Sequence, residues 1–346
     1  MLEVDGSDGG GQLLRSSLAL AALTEQPVTV RNVRGSRPEP GLKPQHLTAV
    51  ELLAECCNGD LEGAHLGSKT VTFDPGTPRG DQVETSVGTA GSVTLIFDAV
   101  LPLAVALESQ LSVTVSGGTE VKWSPPLSTY RHVKLPLCRG VGLCAAVERH
   151  RTGFYPAGGG VAALHLGPSS LSPLSLTERG ALQGAHIYSR ASHSLADSDV
   201  AQRQAEAAAT TLEAADIDVL ERQVTSADTE STGSVVTVAL VYEQTRAGFD
   251  ALGEPGKPAE QVARNAVDGA MEFHESDAVV DSHVADQLLI LLALAGGQVR
   301  IPERTEHVET SLELLGEFGV GVAVESVGAA SHEIRVEGAI TESGTH

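Results

Sequence analysis

The sequence predicts an α/β protein in which one helix–strand–loop–helix–strand unit is used three times, with a small βαβα domain inserted between the second and third copies. Three observations predict it. A short histidine-led pattern recurs: Gln45-His46-Leu47-Thr48-Ala49, Arg131-His132-Val133-Lys134-Leu135 and Glu306-His307-Val308-Glu309-Thr310. Each copy follows an apolar run of helical length and then a β-branched stretch, always in that order. Residues 180–275 break this rhythm with a pattern of their own. Self-similarity of this kind means one supersecondary unit repeated, each copy covering its neighbours' apolar faces. A chain of 346 residues has room for two domains. We expect a repeat domain over 1–179 and 276–346, and an inserted domain over 180–275.

In the first copy, Gly9-Gly10-Gly11 leads into the apolar run Gln12 to Leu23, long enough for a buried helix. Pro27-Val28-Thr29-Val30 reads as a strand, and a turn-rich loop from Arg34 to Pro44 delivers the helix that His46 opens. Thr70-Val71-Thr72-Phe73 alternates as a strand does. In the second copy Gly88 to Ser92 opens a helix through Leu107, Leu111 to Val115 is the strand, and the His132 helix follows. Gly153-Phe154-Tyr155-Pro156-Ala157-Gly158-Gly159-Gly160 then bends into the strand Val161 to Leu166. In the third, Asp286-Gln287 opens a helix through Ala295, Gln298 to Ile301 is the strand, and the His307 helix comes next. Val320 to Val324 and Glu333 to Val336 close that copy as strands. Within the insert, His186 to Ser189 and Ser234 to Val241 read as strands, and Asp197 to Ala215 and Pro258 to Phe273 as helices.

The charge is extreme, 23 basic against 45 acidic residues for a net −22, and aromatics make up 3% of the chain. The lysines are Lys43, Lys69, Lys122, Lys134 and Lys257. An acidic, lysine-poor surface resembles those of salt-loving microbes, whose molar salt shortens the Debye length to ~3 Å and screens self-repulsion. No apolar run spans a bilayer and the start of the chain does not read as a signal peptide, so a cytoplasmic location is expected. Cys56, Cys57, Cys138 and Cys144 form no CxxC pair and are expected as reduced thiols packed in helices.

Three groups of residues could carry chemistry. Glycines ahead of a helix expose backbone amides to an anion, and the helix dipole favours negative charge there. Neither a GxxxxGK[ST] loop nor a strand-linked GxGxxG is present, which excludes the usual signatures of a P-loop or a Rossmann site. Arg15, Arg34, Arg37 and Lys43 cluster around the first copy in an otherwise acidic chain, and guanidinium groups bind phosphate bidentately. A histidine at a helix N-terminus is favoured in its neutral form, which is both base and nucleophile. These arguments do not choose among His46, His132 and His307.

At this point the chain resembles the RNA 3′-terminal phosphate cyclases. The residues that carry the resemblance are Gly9 to Arg15, Arg34-Gly35-Ser36-Arg37, Pro40-Gly41-Leu42, Gln45 to Ala49, Gly88 to Ser92, Ser116 to Thr119, Gly153 to Gly160 and Ala285-Asp286-Gln287. The resemblance spans nearly the whole chain and is weakest in the insert. It implies a three-repeat fold akin to that of enolpyruvyl transferases. It also implies a reaction dependent on ATP and on Mg2+ or Mn2+. A histidine would attack the α-phosphate of ATP, AMP would pass to an RNA 3′-phosphate, and the neighbouring 2′-hydroxyl would close a 2′,3′-cyclic phosphate. By the same resemblance His307 is the nucleophile. Asp8, Gln12, Phe249, His283, Asp286 and Gln287 are assigned to the nucleotide, with Asp8 also facing the metal. Arg15, Arg34, Arg37, Gln45 and His46 are assigned to phosphate or RNA.

One departure stands out. The family has Glu before the triple glycine and two more residues upstream; here the loop is shorter and Asp8 takes the place. Asp is one methylene shorter, so a metal-mediated contact to the phosphates requires the loop to move inward. The expected partners are RNA 3′-phosphate ends and ATP, with no membrane, and the chain is expected as a monomer or homodimer. Few cations imply recognition of an RNA end with a shallow salt dependence. The lack of aromatic interleaving implies broad sequence tolerance. A non-catalytic cyclase-like RNA-processing factor is the alternative; that branch lacks the nucleophilic histidine, which this chain has at position 307. An enolpyruvyl transferase is argued against by Gly153 to Gly160.

Overall fold

A computed structural model describes residues 1–327 and 331–337. The first unit runs β1 (Leu2–Asp5), α1 (Gly10–Thr24), β2 (Val28–Arg31), α2 (Pro44–Cys57), β3 (Asp60–Glu62) and β4 (Val71–Asp74). Its sheet has the order β1-β2-β4-β3, with β1 parallel to β2 and the other pairs antiparallel. The second unit repeats this. It runs β5 (Gln82–Ser86), α3 (Val93–Val100) with a 3-10 extension to Val105, β6 (Leu111–Gly117), a helix over 127–140, β7 (Ala145–Arg151) and β8 (Gly160–Leu166). That helix begins as α4 (Leu127–Thr129), widens into a π-turn over Tyr130–Lys134, and ends as α5 (Leu135–Gly140). The sheet order is β5-β6-β8-β7, again with only the first pair parallel.

The third unit opens with β9 (Leu174–Leu176). The chain then leaves it for β10 (Leu182–Ser192), α6 (Val200–Ala214), β11 (Val219–Ala227), β12 (Ser234–Tyr242), β13 (Arg246–Leu252) and α7 (Ala259–Glu275). It returns as α8 (Ser282–Ala295), β14 (Gly297–Ile301), α9 (Glu306–Glu317), β15 (Val322–Val327) and β16 (Ser331–Val336). The sheet order β9-β14-β16-β15 matches the other two, and β9 lies parallel to β14. The intervening segment therefore interrupts the third unit between its first strand and its first helix. Its own sheet has the order β11-β10-β12-β13 and carries α6 and α7.

The mixed α/β class agrees with the sequence reading, and the repeat is more complete than that reading had it. Each unit starts with a strand that the sequence reading omitted. Those strands are short, and β1 and β5 carry polar or charged residues at alternate positions, so no apolar run marks them. The four elements expected in the insert are joined by two more strands, β11 and β13. Two helix starts also differ. The second-unit helix begins at Leu127, so His132 sits inside it, in the π-turn, and does not open it. Helix α8 begins at Ser282, because the Asp281 carboxylate caps it by accepting from the Val284 N–H at 2.8 Å. Asp286 therefore lies in its second turn.

One apolar core joins all three units, including Leu14, Leu18, Leu53, Phe73, Phe97, Leu288, Leu292 and Ile334. The inserted segment has a second core around Ile187, Leu212, Val236, Val238, Val267 and Phe273. Cys56, Cys57 and Cys138 are buried free thiols in helices, as expected; Cys144 instead lies exposed just before β7.

Candidate active site

The glycine tract is the meeting point of the first and third units. Gly9 caps α1 without any side-chain hydrogen bond, so the first amides of the helix are left for a ligand. Gly10 has φ +58, a backbone conformation open to glycine at little cost. A Cβ on Gly9 would lie 2.8 Å from Cγ2 of Thr310 in α9, and one on Gly11 would lie 2.6 Å from Cδ2 of His46 in α2. The amide of Gln12 donates to Ser311 Oγ at 3.3 Å, tying α1 to α9. Asp8, beside this tract, is exposed.

Cations gather around the tract. Arg15, one turn into α1, is only 9% exposed; burial lowers its pKa, and Asp98 and Asp286 offset that. Arg37 is exposed and sits over Gly10, 3.5 Å from where a Cβ would stand. Arg34 is placed differently from the expectation. Its NH1 donates to the carbonyls of Glu39 and Gly41, each at 2.9 Å, so this guanidinium organises its own loop. Lys43 pairs with Glu39.

His46 is buried at the third position of α2, where its Nδ1 accepts the Lys43 backbone N–H at 3.2 Å. That bond assigns the ring proton to Nε2, which faces the glycine tract. Burial, then the charges of Arg15, Arg34 and Lys43, push its pKa down to about 3. His46 is thus a fixed neutral donor. Its neighbour Gln45 accepts the Ser92 N–H through Oε1 at 3.3 Å, linking the first unit to the glycine loop of the second.

The third unit supplies the acidic side of the site. Asp286 has a buried Oδ1 with no hydrogen-bond partner. Burial raises its pKa to about 6, opposed by the nearby charges of His307, Lys134 and His283. With Gln12, Arg15, Asp98, Lys134 and Gln287 it lines a cavity of about 560 Å3. His307 is exposed at the second position of α9, whose cap is Thr305 Oγ1 accepting the Val308 N–H at 3.2 Å. A side chain there is free to meet an incoming phosphate. His283 is exposed in the first turn of α8.

Phe249 is placed on β13, with its ring 5.6 Å from that of Phe273 and against Gly269, so it packs on the inserted segment's helix α7. Its neighbour Gly248 donates its N–H to Asp281 Oδ2 at 3.1 Å, which ties β13 to the start of α8. The sequence reading missed Lys134 and Asp98. They form a pair at 2.5 Å, with side chains 6% and 12% exposed, on the wall of the Asp286 cavity. The available signal was a lysine on an otherwise apolar helix face with Tyr130, Leu137 and Cys138.

A larger cleft of about 1990 Å3 runs from Gln45 and Ser92 past Glu120 to Trp123, Tyr155 and the 252–255 loop. Trp123 is 93% and Tyr155 65% exposed there. Two aromatics of an aromatic-poor chain thus stand exposed in one cleft.

No group of three or more His, Cys, Asp or Glu side chains among the described residues is arranged to hold a metal ion. One exposed carboxylate, Asp8, fits the mode in which Mg2+ is held chiefly by substrate phosphates and water. It does not fit a protein cage.

The comparisons with known proteins agree with one another. The family model described as RNA 3′-terminal phosphate cyclase matches residues 7–324. An RNA 3′-terminal phosphate cyclase of Halobacterium salinarum is 44% identical over 93% of this chain and 96% of its own length. Those of Pyrococcus furiosus and Nitrosospira multiformis are 37% and 39% identical over 92% of this chain and over 93% and 91% of their own lengths.

Proposed function

The chain belongs to the RNA 3′-terminal phosphate cyclase family and is an ATP-dependent enzyme of that kind, and from this premise we propose how its residues divide the reaction. ATP enters with its phosphates over Gly9 to Gly11, where the open amides of α1, Arg15, Arg37 and the Nε2–H of His46 meet negative charge. A ring nitrogen of His307 attacks the α-phosphate. A P–N bond forms, the P–O bond to the β-phosphate breaks, and pyrophosphate leaves. The ionised form of Asp286 stabilises the positive charge that this attack places on the imidazole. An oxygen of the RNA 3′-phosphate then attacks the adenylate phosphorus, the P–N bond breaks, and the imidazole of His307 is released as AMP passes to the RNA end. The adjacent 2′-hydroxyl attacks the activated phosphorus, expels AMP and closes the 2′,3′-cyclic phosphate. Covalent relay through histidine replaces one difficult displacement by easier ones.

A divalent cation held by the ATP phosphates and Asp8 would supply charge neutralisation. The RNA end reaches the site along the cleft that begins at Gln45. Asp281 joins residues 180–275, which we read as an inserted domain, to the helix that carries Asp286. An acidic surface of this kind leads us to expect activity in molar KCl.

The observation that supports this reading best is the convergence of an exposed His307, an Asp286 with an unpartnered buried oxygen, and the bare amides of the glycine tract. The test is incubation with α-32P-ATP, Mg2+ or Mn2+ and molar KCl. The expected result is a labelled protein, acid-labile and alkali-stable as a phosphoramidate is, and no label on His307→Ala. Equal labelling of wild type and His307→Ala would sink the assignment. Labelling lost in His46→Ala but kept in His307→Ala would move the nucleophile to the first unit.

A further inference from the structure

A third pocket, of about 430 Å3 including its open mouth, lies where the second unit meets the inserted segment. It takes Ser128, Arg131 and His132 from the 127–140 helix, Arg149 from β7, and Tyr188 and Arg190 from β10. Acidic residues outnumber basic ones 45 to 23 in this chain, yet the pocket's lining contains three arginines and no Asp or Glu.

The guanidinium groups there are only partly answered. Arg149 is 13% exposed and pairs through NH2 with Glu120 Oε1 at 2.5 Å, and its Nε is buried without a partner. Arg190 donates through NH1 to Thr152 Oγ1 at 3.3 Å, and its Nε is also buried without a partner. Burial first, then Arg149, press the Arg190 pKa down to about 10. Arg131 is exposed at the mouth. The His132 ring stacks on Tyr188 at 3.8 Å and 18°. Burial pushes His132 down to about 4, so this floor is neutral. Glu221 accepts from the Tyr188 hydroxyl at 2.8 Å and stands outside the lining. Three clustered guanidinium groups, two of them largely desolvated, thus share one carboxylate, Glu120, which lies behind the lining and pairs with Arg149; such an excess of buried positive charge is costly unless an anion completes it.

We propose that this pocket is a second anion site that binds a phosphate group through Arg131, Arg149 and Arg190. Its ligand is a phosphodiester of the RNA chain or a free phosphate, which share the chemistry that guanidinium forks recognise. The site is separate from the cavity at Asp286. Ser128, Arg131 and His132 share one face of the helix, while Tyr130 and Lys134 point to the other, so one helix diameter, about 10 Å, stands between them. The proposal rests on this geometry and not on the assignment of His307.

The test is calorimetric titration of the full chain with inorganic phosphate, and separately with a 3′-hydroxyl decaribonucleotide that has no terminal phosphate. An Arg37→Gln background weakens the first site. Arg131→Gln and Arg190→Gln are expected to weaken binding about tenfold or more, with partial rescue by Arg190→Lys. The rise of the melting midpoint with ligand should shrink in step. Arg131 is exposed, so its variant remains informative even if Arg190→Gln fails to fold. Tight binding of the oligonucleotide with weak binding of phosphate identifies an RNA backbone subsite; the reverse identifies a free-anion site. Self-nucleotidylation by ATP should persist in Arg131→Gln. Wild-type affinity for both probes in folded Arg131→Gln and Arg190→Gln proteins would overturn the proposal.

Discussion

The imidazole of His46 faces the backbone of Gly11 so closely that no side chain fits between them. The ring cannot retreat freely, because its Nδ1 is held by the Lys43 N–H. Gly11→Ala is therefore expected to fold, since Ala favours helix over Gly by up to about 1 kcal/mol. It should nevertheless lose about tenfold or more in the rate of self-nucleotidylation as the ring is displaced. The Gly11→Ala/His46→Ala double variant should be no worse than His46→Ala alone, because the clash is gone. Additive losses would show that the contact does not matter.

His46 and Asp286 bias stability in opposite directions as pH changes. The folded pKa of His46 is about 3 against an ordinary 6.5, so the unfolded chain binds more protons between those values. Its contribution is present above pH 6.5 and is lost on acidification, by up to about 1.4 kcal/mol per pH unit. The folded pKa of Asp286 is about 6 against 3.8, so the folded chain binds more protons in that window. Its contribution is present below pH 4 and is lost as pH rises through 6. Measured by denaturant unfolding, Asp286→Asn should gain on wild type between pH 4 and 7, and His46→Gln should gain on wild type between pH 6.5 and 4. A pH-independent difference in either pair would refute the corresponding shift.

Much of the repeat was legible because apolar runs and β-branched strands carry period and order. The opening strands β1, β5 and β9 were not, since each borrows its stability from the parallel neighbour it pairs with. His307, Asp286 and the glycine tract were readable as motifs. Lys134 and Asp98 were not, because they lie far apart along the chain from Asp286 and reach it only through packing of the second unit on the third. Arg34 shows the opposite limit: its residue type suggested a phosphate contact, and its left-handed backbone, φ 55, turned it onto loop carbonyls. The sequence offers His132 as one of three equivalent helix-opening histidines, whereas its position inside the π-turn puts it in an arginine-rich pocket.

The buried Lys134–Asp98 pair gives a stability prediction. Removing one partner leaves a charge stranded in a site where water is scarce. Lys134→Met is expected to destabilise the protein by about 3–5 kcal/mol, whereas Lys134→Met/Asp98→Leu should recover much of that loss. Guanidinium unfolding midpoints of the two variants decide it. A single variant as stable as wild type would mean that Asp98 is already neutralised by Arg15.

Trp123 gives the last prediction, and the chain reports on it directly because it holds one tryptophan. Its ring is 93% exposed on a residue with φ 62, in the same cleft as Tyr155 and Gln45. Among the described residues nothing covers that surface, and an unpaired base could stack on it. A 3′-phosphate RNA should therefore quench tryptophan fluorescence, and Trp123→Ala should weaken RNA binding by about 1–3 kcal/mol while leaving labelling by ATP intact. Stacking releases no counterions, so the quench should survive molar KCl better than phosphate contacts do. If ATP alone quenches as fully as RNA, the cleft seats the nucleotide, and the RNA end must enter from the Arg37 side.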